Sequence, residues 1–139
     1  FDKKSIKKII TLIDNHDIHI ELTDVNVRKA ISKVGKDAFP DLIKVILADK
    51  MAQQPNRKEK GIEYVNKLGE LYKDTIEKGH CLSIPELKIN GDDLINIGFA
   101  QGKEIKDVLE ILLNMVLEKP VLNRREELIR IAKQMRSNN

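Results

Sequence analysis

The sequence predicts an all-α fold, a multi-helix bundle with room for two small subdomains joined by a long helix. Apolar residues recur three and four positions apart along most of the chain, as they do on one face of a helix. Glycine, proline and short polar residues interrupt this pattern where helices are expected to begin and end. Aromatic residues make up only 4% of the chain, so Leu, Ile and Val must fill the core.

Two helices are predicted before residue 36. Ser5 can cap the first, which ends near Asn15 and has an apolar stripe formed by Ile6, Ile9, Ile10 and Ile13. Thr23 or Asp24 can cap the second, and Gly35 suits its C-terminal end. The residues expected to face inward on the second helix are Val27, Ala30, Ile31 and Val34.

A third helix is predicted to open at Asp37 and Pro40. Its inner face is expected to carry Leu42, Val45, Ile46 and Asp49. A carboxylate on an apolar face needs a partner, because burying an unpaired charge is costly. Asp49 is therefore either hydrogen-bonded to a neighbouring helix or a candidate metal ligand.

The pattern breaks at Pro55, and a long, charged fourth helix is predicted to follow and to end at Gly79. Its stripe is expected to consist of Ile62, Val65, Leu68 or Gly69, Tyr72 and Ile76. Cys81 comes shortly after and lacks the partners for a zinc site or a catalytic triad, so we expect a small core residue. As the only cysteine it excludes an internal disulfide and suggests a reducing compartment.

Residues 87–120 combine a short helix, a glycine-bounded turn and a long amphipathic helix. Asn90, Asp92 or Asp93 can cap the short helix, and Gly98 suits the left-handed position at its end. The long helix is expected to stop before Pro120. Its apolar face is expected to be formed by Ile105, Val108, Leu109, Leu112 and Val116.

The start of this long helix at Gly102 is a candidate phosphate-binding site. A helix that begins at a glycine lets an anion approach free backbone N–H groups, and the helix dipole favours negative charge there. Lys103 and Lys106 lie in the first turn, where positive charge opposes the dipole unless an anion is bound. The alternative is an ordinary corner between two helices with solvated lysines.

A last helix is predicted after Pro120, with Asn123 and Glu126 forming a capping box. Its inner face is expected to carry Leu128, Ile131, Ala132 and Met135. Its outer face is rich in cations, of which the candidate RNA contacts are Arg124, Arg125 and Arg130. Cations matched to phosphates release counterions and so favour binding, whereas the alternative is a solvated charged face.

Composition limits the classes of function. The 139 residues carry a net charge of +3, a mild basic excess that fits localised nucleic-acid contact without requiring it. No P-loop, Rossmann fingerprint, signal peptide or membrane-spanning run is present, and we expect a cytoplasmic protein. The chain begins with Phe1, so we also expect a piece of a longer protein.

Residues 87–129 carry the pattern LxINGxDLIxxGxxxGxEIxxxLExLLxxVLExxxxNxxxxLI. This pattern resembles the C-terminal region of bacterial CCA-adding enzymes and related poly(A) polymerase-type tRNA nucleotidyltransferases. In that family an N-terminal head does the chemistry, while helical neck, body and tail domains hold the tRNA. Lys103 departs from the family, which often has proline there; the start of this helix is therefore expected to be less fixed.

The segment LIKVILADKMAQ, residues 42–53, resembles the last motif of the HD superfamily. There an aspartate completes a metal site with an upstream His and a His-Asp pair. The first helix, which ends at His16 and Asp17, also resembles HD-type nucleotidyltransferases. The resemblance implies that the partners of Asp49 lie before Phe1, so Asp49 and His16 are candidate ligands without a complete site.

These features predict a tRNA-binding C-terminal fragment of a tRNA nucleotidyltransferase. Its expected parts are the end of an HD-like region in 1–55, a linking helix in 56–80 and a tRNA-binding tail in 81–139. We expect no catalytic residue and no cofactor in the fragment. By the resemblance, Mg²⁺ and CTP or ATP bind the head of the parent, which adds CCA, or part of it, to tRNA 3′ ends.

Two alternatives stay open at this stage. One is a fragment of an HD-type metal-dependent phosphohydrolase, in which Asp49 is a ligand. The other is a plain helical interaction module. The sequence leaves the oligomeric state open.

Overall fold

The computed structural model describes residues 3, 19–52 and 55–138. Over these residues the chain is all helical, with no strand, which confirms the predicted fold class. The chain divides into two compact units, the first ending at Gly79 and the second beginning at His80. The α-helices are α1 (Asp24–Val34), α2 (Phe39–Met51), α3 (Pro55–Glu77), α4 (Gly91–Ile97), α5 (Lys103–Glu118) and α6 (Arg125–Ser137). Short 3₁₀ turns cover Ile84–Glu86 and Pro120–Leu122.

The first helix predicted from the sequence, including His16, lies outside the described residues. The second predicted helix is α1, and both of its ends are confirmed. The Thr23 hydroxyl accepts a hydrogen bond from the Asn26 backbone N–H at 3.1 Å, and Gly35 ends the helix with a φ of +105°. The core-facing residues of α1 include Val27, Ile31 and Val34.

Helix α2 buries Leu42 and Ile46 as expected, but not Asp49. Phe39, Leu42 and Ile46 are buried, whereas Asp49 is exposed, so the prediction that Asp49 lies on the inner face is wrong. The next residue to face α3 is Lys50, four positions after Ile46. A Cβ atom built on Gly61 of α3 would lie only 2.7 Å from the Cβ of Lys50.

Helix α3 packs against both α1 and α2. Val65 and Leu68 are buried as predicted. Ile62 and Ile76 are each more than a third exposed, so their predicted inward position is wrong. The buried stripe instead uses Gly61 and Thr75, one residue earlier in each case, which is about 100° around the helix.

Gly61 explains this shift of the stripe. Glycine inside a helix costs about 0.5–1 kcal/mol relative to alanine. Here the absence of a side chain lets the stem of Lys50 lie directly on the α3 backbone. Periodicity counted from Ile62 therefore misses the contact, because the residue that makes it has no side chain.

The second unit is built from α4, α5 and α6 around one apolar core. Its buried residues are Cys81, Leu87, Ile89, Leu94, Phe99, Val108, Leu112, Val116, Leu128, Ile131 and Ala132. This set confirms the predicted inner faces of α5 and α6. It also confirms Cys81 as a core residue, whose thiol donates a hydrogen bond to the Ser83 carbonyl at 3.5 Å.

Helix α4 has the cap that the sequence predicts. The Asn90 side chain accepts a hydrogen bond from the Asp93 backbone N–H, and the Asp93 carboxylate accepts one from the Asn90 backbone N–H, both at 3.0 Å. This reciprocal pair is a capping box. Gly98 ends the helix with a φ of +120°, a conformation that favours glycine.

The capping box predicted for α6 is wrong. The N-cap residue is Arg124, and no side chain caps that helix. Asn123 instead accepts a hydrogen bond from the Lys88 backbone N–H at 2.9 Å and donates one to the Glu86 carbonyl at 3.2 Å. An amide can do both, because it carries an acceptor oxygen and a donor nitrogen. Asn123 therefore fastens the segment before α4 to the segment before α6.

Candidate functional site

The turn between α4 and α5 presents an open helix start. Gly102 is the N-cap residue of α5, has a φ of +95° and is not assisted by any capping side chain. A Cβ atom built on Gly102 would meet no atom within 4 Å, so the space beside this residue is free. The first backbone N–H groups of α5 thus differ from those of α1 and α4, which are capped by Thr23 and Asn90.

One carboxylate already lies at this turn. Glu104, in the first turn of α5, accepts a hydrogen bond from the Ala100 backbone N–H at 3.3 Å. A negative charge in the first turn is favoured by the helix dipole. Glu104 therefore stabilises the turn, and an anion that binds here would lie close to the Glu104 carboxylate.

Lys103 and Lys106 are both exposed in the first turn of α5, as the sequence predicts. In the part of the chain that the structure describes, neither lysine forms an ion pair. Both ammonium groups can therefore meet a ligand near Gly102 without first breaking an internal contact.

Two arginines of α6, unlike these lysines, are paired with carboxylates. The two terminal nitrogen atoms of the Arg125 guanidinium, Nη1 and Nη2, donate to the two carboxylate oxygens of Asp93, at 2.9 and 2.7 Å. Arg130 pairs with Glu127 one turn away on the same helix. The charges of these two arginines are thus offset within the chain, although both side chains are largely exposed.

These ion pairs lower the pKa of both carboxyl groups, Asp93 and Glu127. The hydrogen bond from Arg125, and next the Asn90 backbone N–H, lower the pKa of Asp93 below its ordinary value. The Arg130 guanidinium lowers the pKa of Glu127 in the same way. Arg124, the third arginine predicted to contact RNA, is the exposed N-cap residue of α6.

Arg136 was not singled out as a site residue by the sequence. Its Nε donates to the Gly98 carbonyl at 3.0 Å, so this cation lies at the C-terminal end of α4, beside the turn that leads to Gly102. A cation at a helix C-terminus is favoured by the helix dipole. The signal in the sequence is weak, because Arg136 is 38 residues away from Gly98.

Asp49, a candidate metal ligand, is not part of a metal-binding cluster among the described residues. Among the residues that the structure describes, no three His, Cys, Asp or Glu side chains are close enough to hold a metal ion. Asp49 is exposed on α2, and His16 lies outside the described residues. The described residues thus contain no cluster of three side chains that could complete an HD-type metal centre around Asp49.

In the described ranges, no helix combines the length and the apolar character that crossing a membrane requires.

Comparison with known proteins identifies the family of this chain. No curated protein and no solved structure matches it. Residues 1–132 match the model of the family described as tRNA nucleotidyltransferase domain 2. The match extends from the first unit through α4, α5 and most of α6, so it includes the Gly102 turn. The chain therefore belongs to the tRNA nucleotidyltransferase domain 2 family.

Proposed function

We propose that this chain is the tRNA-holding part of a tRNA nucleotidyltransferase and that it does not itself transfer nucleotides. The observation that carries the proposal is the family match over residues 1–132. An enzyme of this kind acts on tRNA, and a helical domain without a cluster of metal ligands in its described residues suits binding better than catalysis.

The surface proposed for tRNA centres on the start of α5. Gly102 leaves room for a phosphate oxygen to approach the backbone N–H groups, as far as Glu104 permits. Lys103 and Lys106 supply charge there that no internal ion pair offsets among the described residues. Arg124 is exposed at the start of α6 and belongs to the same proposal.

Arg125 and Arg130 are proposed as weaker contacts. Each must share its guanidinium between a phosphate and the carboxylate that it already binds, Asp93 or Glu127. We therefore rank the lysines of α5 above these two arginines. Contacts of this kind set affinity and orientation and carry little sequence information. Recognition of the RNA would depend on its shape and backbone.

The nucleotide-adding activity is assigned to the parent protein, of which this chain would be one part. We propose that the parent adds CCA, or part of it, to tRNA 3′ ends in the cytoplasm. Mg²⁺ and CTP or ATP would be held by a catalytic head outside this chain, because paired acidic residues hold the metals in such chemistry. Incubating the purified chain with tRNA, Mg²⁺ and each labelled nucleoside triphosphate tests this division. We expect no incorporation, and reproducible incorporation would contradict it.

Titration of tRNA with the chain and with a Lys103→Gln/Lys106→Gln variant tests the binding surface. We expect weaker binding and a salt dependence whose slope falls by about 0.7–0.9 for each lost phosphate contact. Lys119→Gln is the matched control, because Lys119 is exposed at the other end of the same helix. Equal affinity and slope in all three proteins would place the RNA contact elsewhere.

A further inference from the structure

We propose that a cleft in the first unit, between the end of α2 and the first turns of α3, binds a phosphate group of an RNA backbone. The cleft has a volume of ≈ 410 Å³, within the range of roughly 300–1,000 Å³ that is usual for ligand sites. Three cations line it, namely Lys50, Arg57 and Lys60. Neither the family resemblance nor the Gly102 surface assigns these residues.

Lys50 is held in position before any ligand arrives. Its aliphatic stem lies on the bare backbone of α3 at Gly61, where an added Cβ atom would come within 2.7 Å of the Lys50 Cβ. Its ammonium nitrogen lies 5.4 Å from the centre of the Tyr64 ring, a favourable cation–π distance. The side chain thus loses little further freedom when it contacts an anion.

The aromatic wall of the cleft is also fixed. The Tyr64 hydroxyl donates to the Ile20 carbonyl and accepts from the Ile20 backbone N–H, each at 2.7 Å. The His19 ring stacks on Tyr64 with 5.3 Å between ring centres and 18° between planes. These contacts tie the segment before α1 to α3, so one side of the cleft is a rigid aromatic surface.

The charge in the cleft is not balanced by the described residues. No Asp or Glu is among the described residues that line it, and within the described ranges Lys50, Arg57 and Lys60 form no ion pair. The acids next to lining residues in the sequence are Asp49, Glu59 and Glu63, which are exposed and are not among the described residues that line the cleft. One guanidinium and two ammonium groups on residues that line the same cleft suit the several oxygens of a phosphate.

Free phosphate and an RNA phosphodiester share this chemistry. Assigning the cleft to RNA rests on the proposed function. A tRNA held by this chain would bring its phosphates close to surface cations that are not paired with an acid. Such a contact would add residues of the first unit to those that bind RNA. Each additional phosphate contact steepens the dependence of binding on salt concentration.

The full chain is titrated first with inorganic phosphate, by NMR, and then with tRNA at several salt concentrations. The variants are Arg57→Gln/Lys60→Gln, which removes two cations, and Gly61→Ala, which displaces the Lys50 stem. Lys73→Gln is the control, an exposed lysine of α3 that lies away from the cleft. Circular dichroism checks the folding of each variant.

We expect phosphate to shift the amide signals of residues 56–61 and the ring signals of Tyr64, and both cleft variants to lose this response. The double variant should also lower the salt slope of tRNA binding by about 0.7–0.9 for each lost contact, whereas Lys73→Gln should not. Phosphate binding in the cleft with unchanged tRNA binding would overturn the assignment to RNA.

The absence of both effects would overturn the site altogether. The two surfaces are separated by their variants. Loss of tRNA affinity in the Lys103/Lys106 variant alone supports the proposed function and overturns the cleft. Loss in the cleft variants alone supports the cleft and removes the Gly102 surface.

Discussion

Asp93 and Arg125 join the starts of two helices through one carboxylate. Asp93 accepts a hydrogen bond from the Asn90 backbone N–H as part of the α4 cap. It also accepts hydrogen bonds from the two terminal nitrogens of Arg125, in the first turn of α6. At the other end of α4, Arg136 donates to the Gly98 carbonyl. Helix α6 thus holds both ends of α4 through arginines near its own two ends.

The first prediction concerns pH. Arg125 and the Asn90 N–H lower the pKa of Asp93 in the folded protein. The ionised Asp93 therefore stabilises the fold, and this stabilisation is fully present above the pKa of Asp in the unfolded chain, about 3.9. It is lost as the pH falls through the lower folded pKa. Chemical denaturation of the wild type and of Asp93→Asn, from about pH 6 to about pH 2, should therefore show a difference in unfolding free energy that shrinks with acidification. A difference that is constant over this range would contradict the prediction.

The second prediction concerns the α4 cap. Asn90→Ala removes the acceptor for the Asp93 N–H and should lower the unfolding free energy of the second unit by about 1 kcal/mol. Asn96→Ala is the matched control, because Asn96 is an exposed residue of the same helix. Its effect should stay within about 0.5 kcal/mol. Urea denaturation measures both, and equal effects would remove the capping box as a source of stability.

The third prediction compares neighbours on α5. Leu112 is fully buried, so Leu112→Ala should destabilise the second unit by about 2–5 kcal/mol through lost burial and the cavity left behind. Ile111 is 46% exposed, and Ile111→Ala should cost considerably less. Denaturation curves of the two variants test the orientation of the helix. A larger loss at Ile111 than at Leu112 would mean that α5 faces the core differently.

The fourth prediction concerns the two hydrogen bonds of Asn123. Asn123→Ala loses both and should expose the Lys88 amide to faster hydrogen exchange. Asn123→Asp keeps an acceptor for that amide but has no donor for the Glu86 carbonyl. We therefore expect the Lys88 amide to exchange more slowly in the Asp variant than in the Ala variant. Identical exchange in all three proteins would show that the Asn123 amide does not protect it.

Much of the fold followed from local rules, since Thr23, Gly35, Asn90 and Gly98 all act as the sequence predicted. The errors arose where a distant contact decides the outcome. Asn123 has the spacing of a cap, but its partners lie 35 and 37 residues away. Asp49 fits a helical stripe, but α2 meets α3 through Lys50, because Gly61 leaves room for its stem.

The candidate site shows the same limit. Sequence spacing identified the open turn at Gly102 and the exposed lysines beside it. It gave no means of telling that Arg125 is held by Asp93, which is 32 residues away. The cleft was missed altogether because its cations come from two helices and its aromatic wall combines Tyr64 of α3 with His19, which precedes α1.

The burial of Cys81 gives the second unit an internal reporter of its own opening. This thiol is the only one in the chain and lies in the core beneath α4, α5 and α6. A thiol reagent can reach it only when that core opens, so the labelling rate follows the population of the open form when reclosing is fast. Bound tRNA that stabilises the closed unit would slow the labelling, and the unmodified protein would then report occupancy of the second unit separately from events in the first.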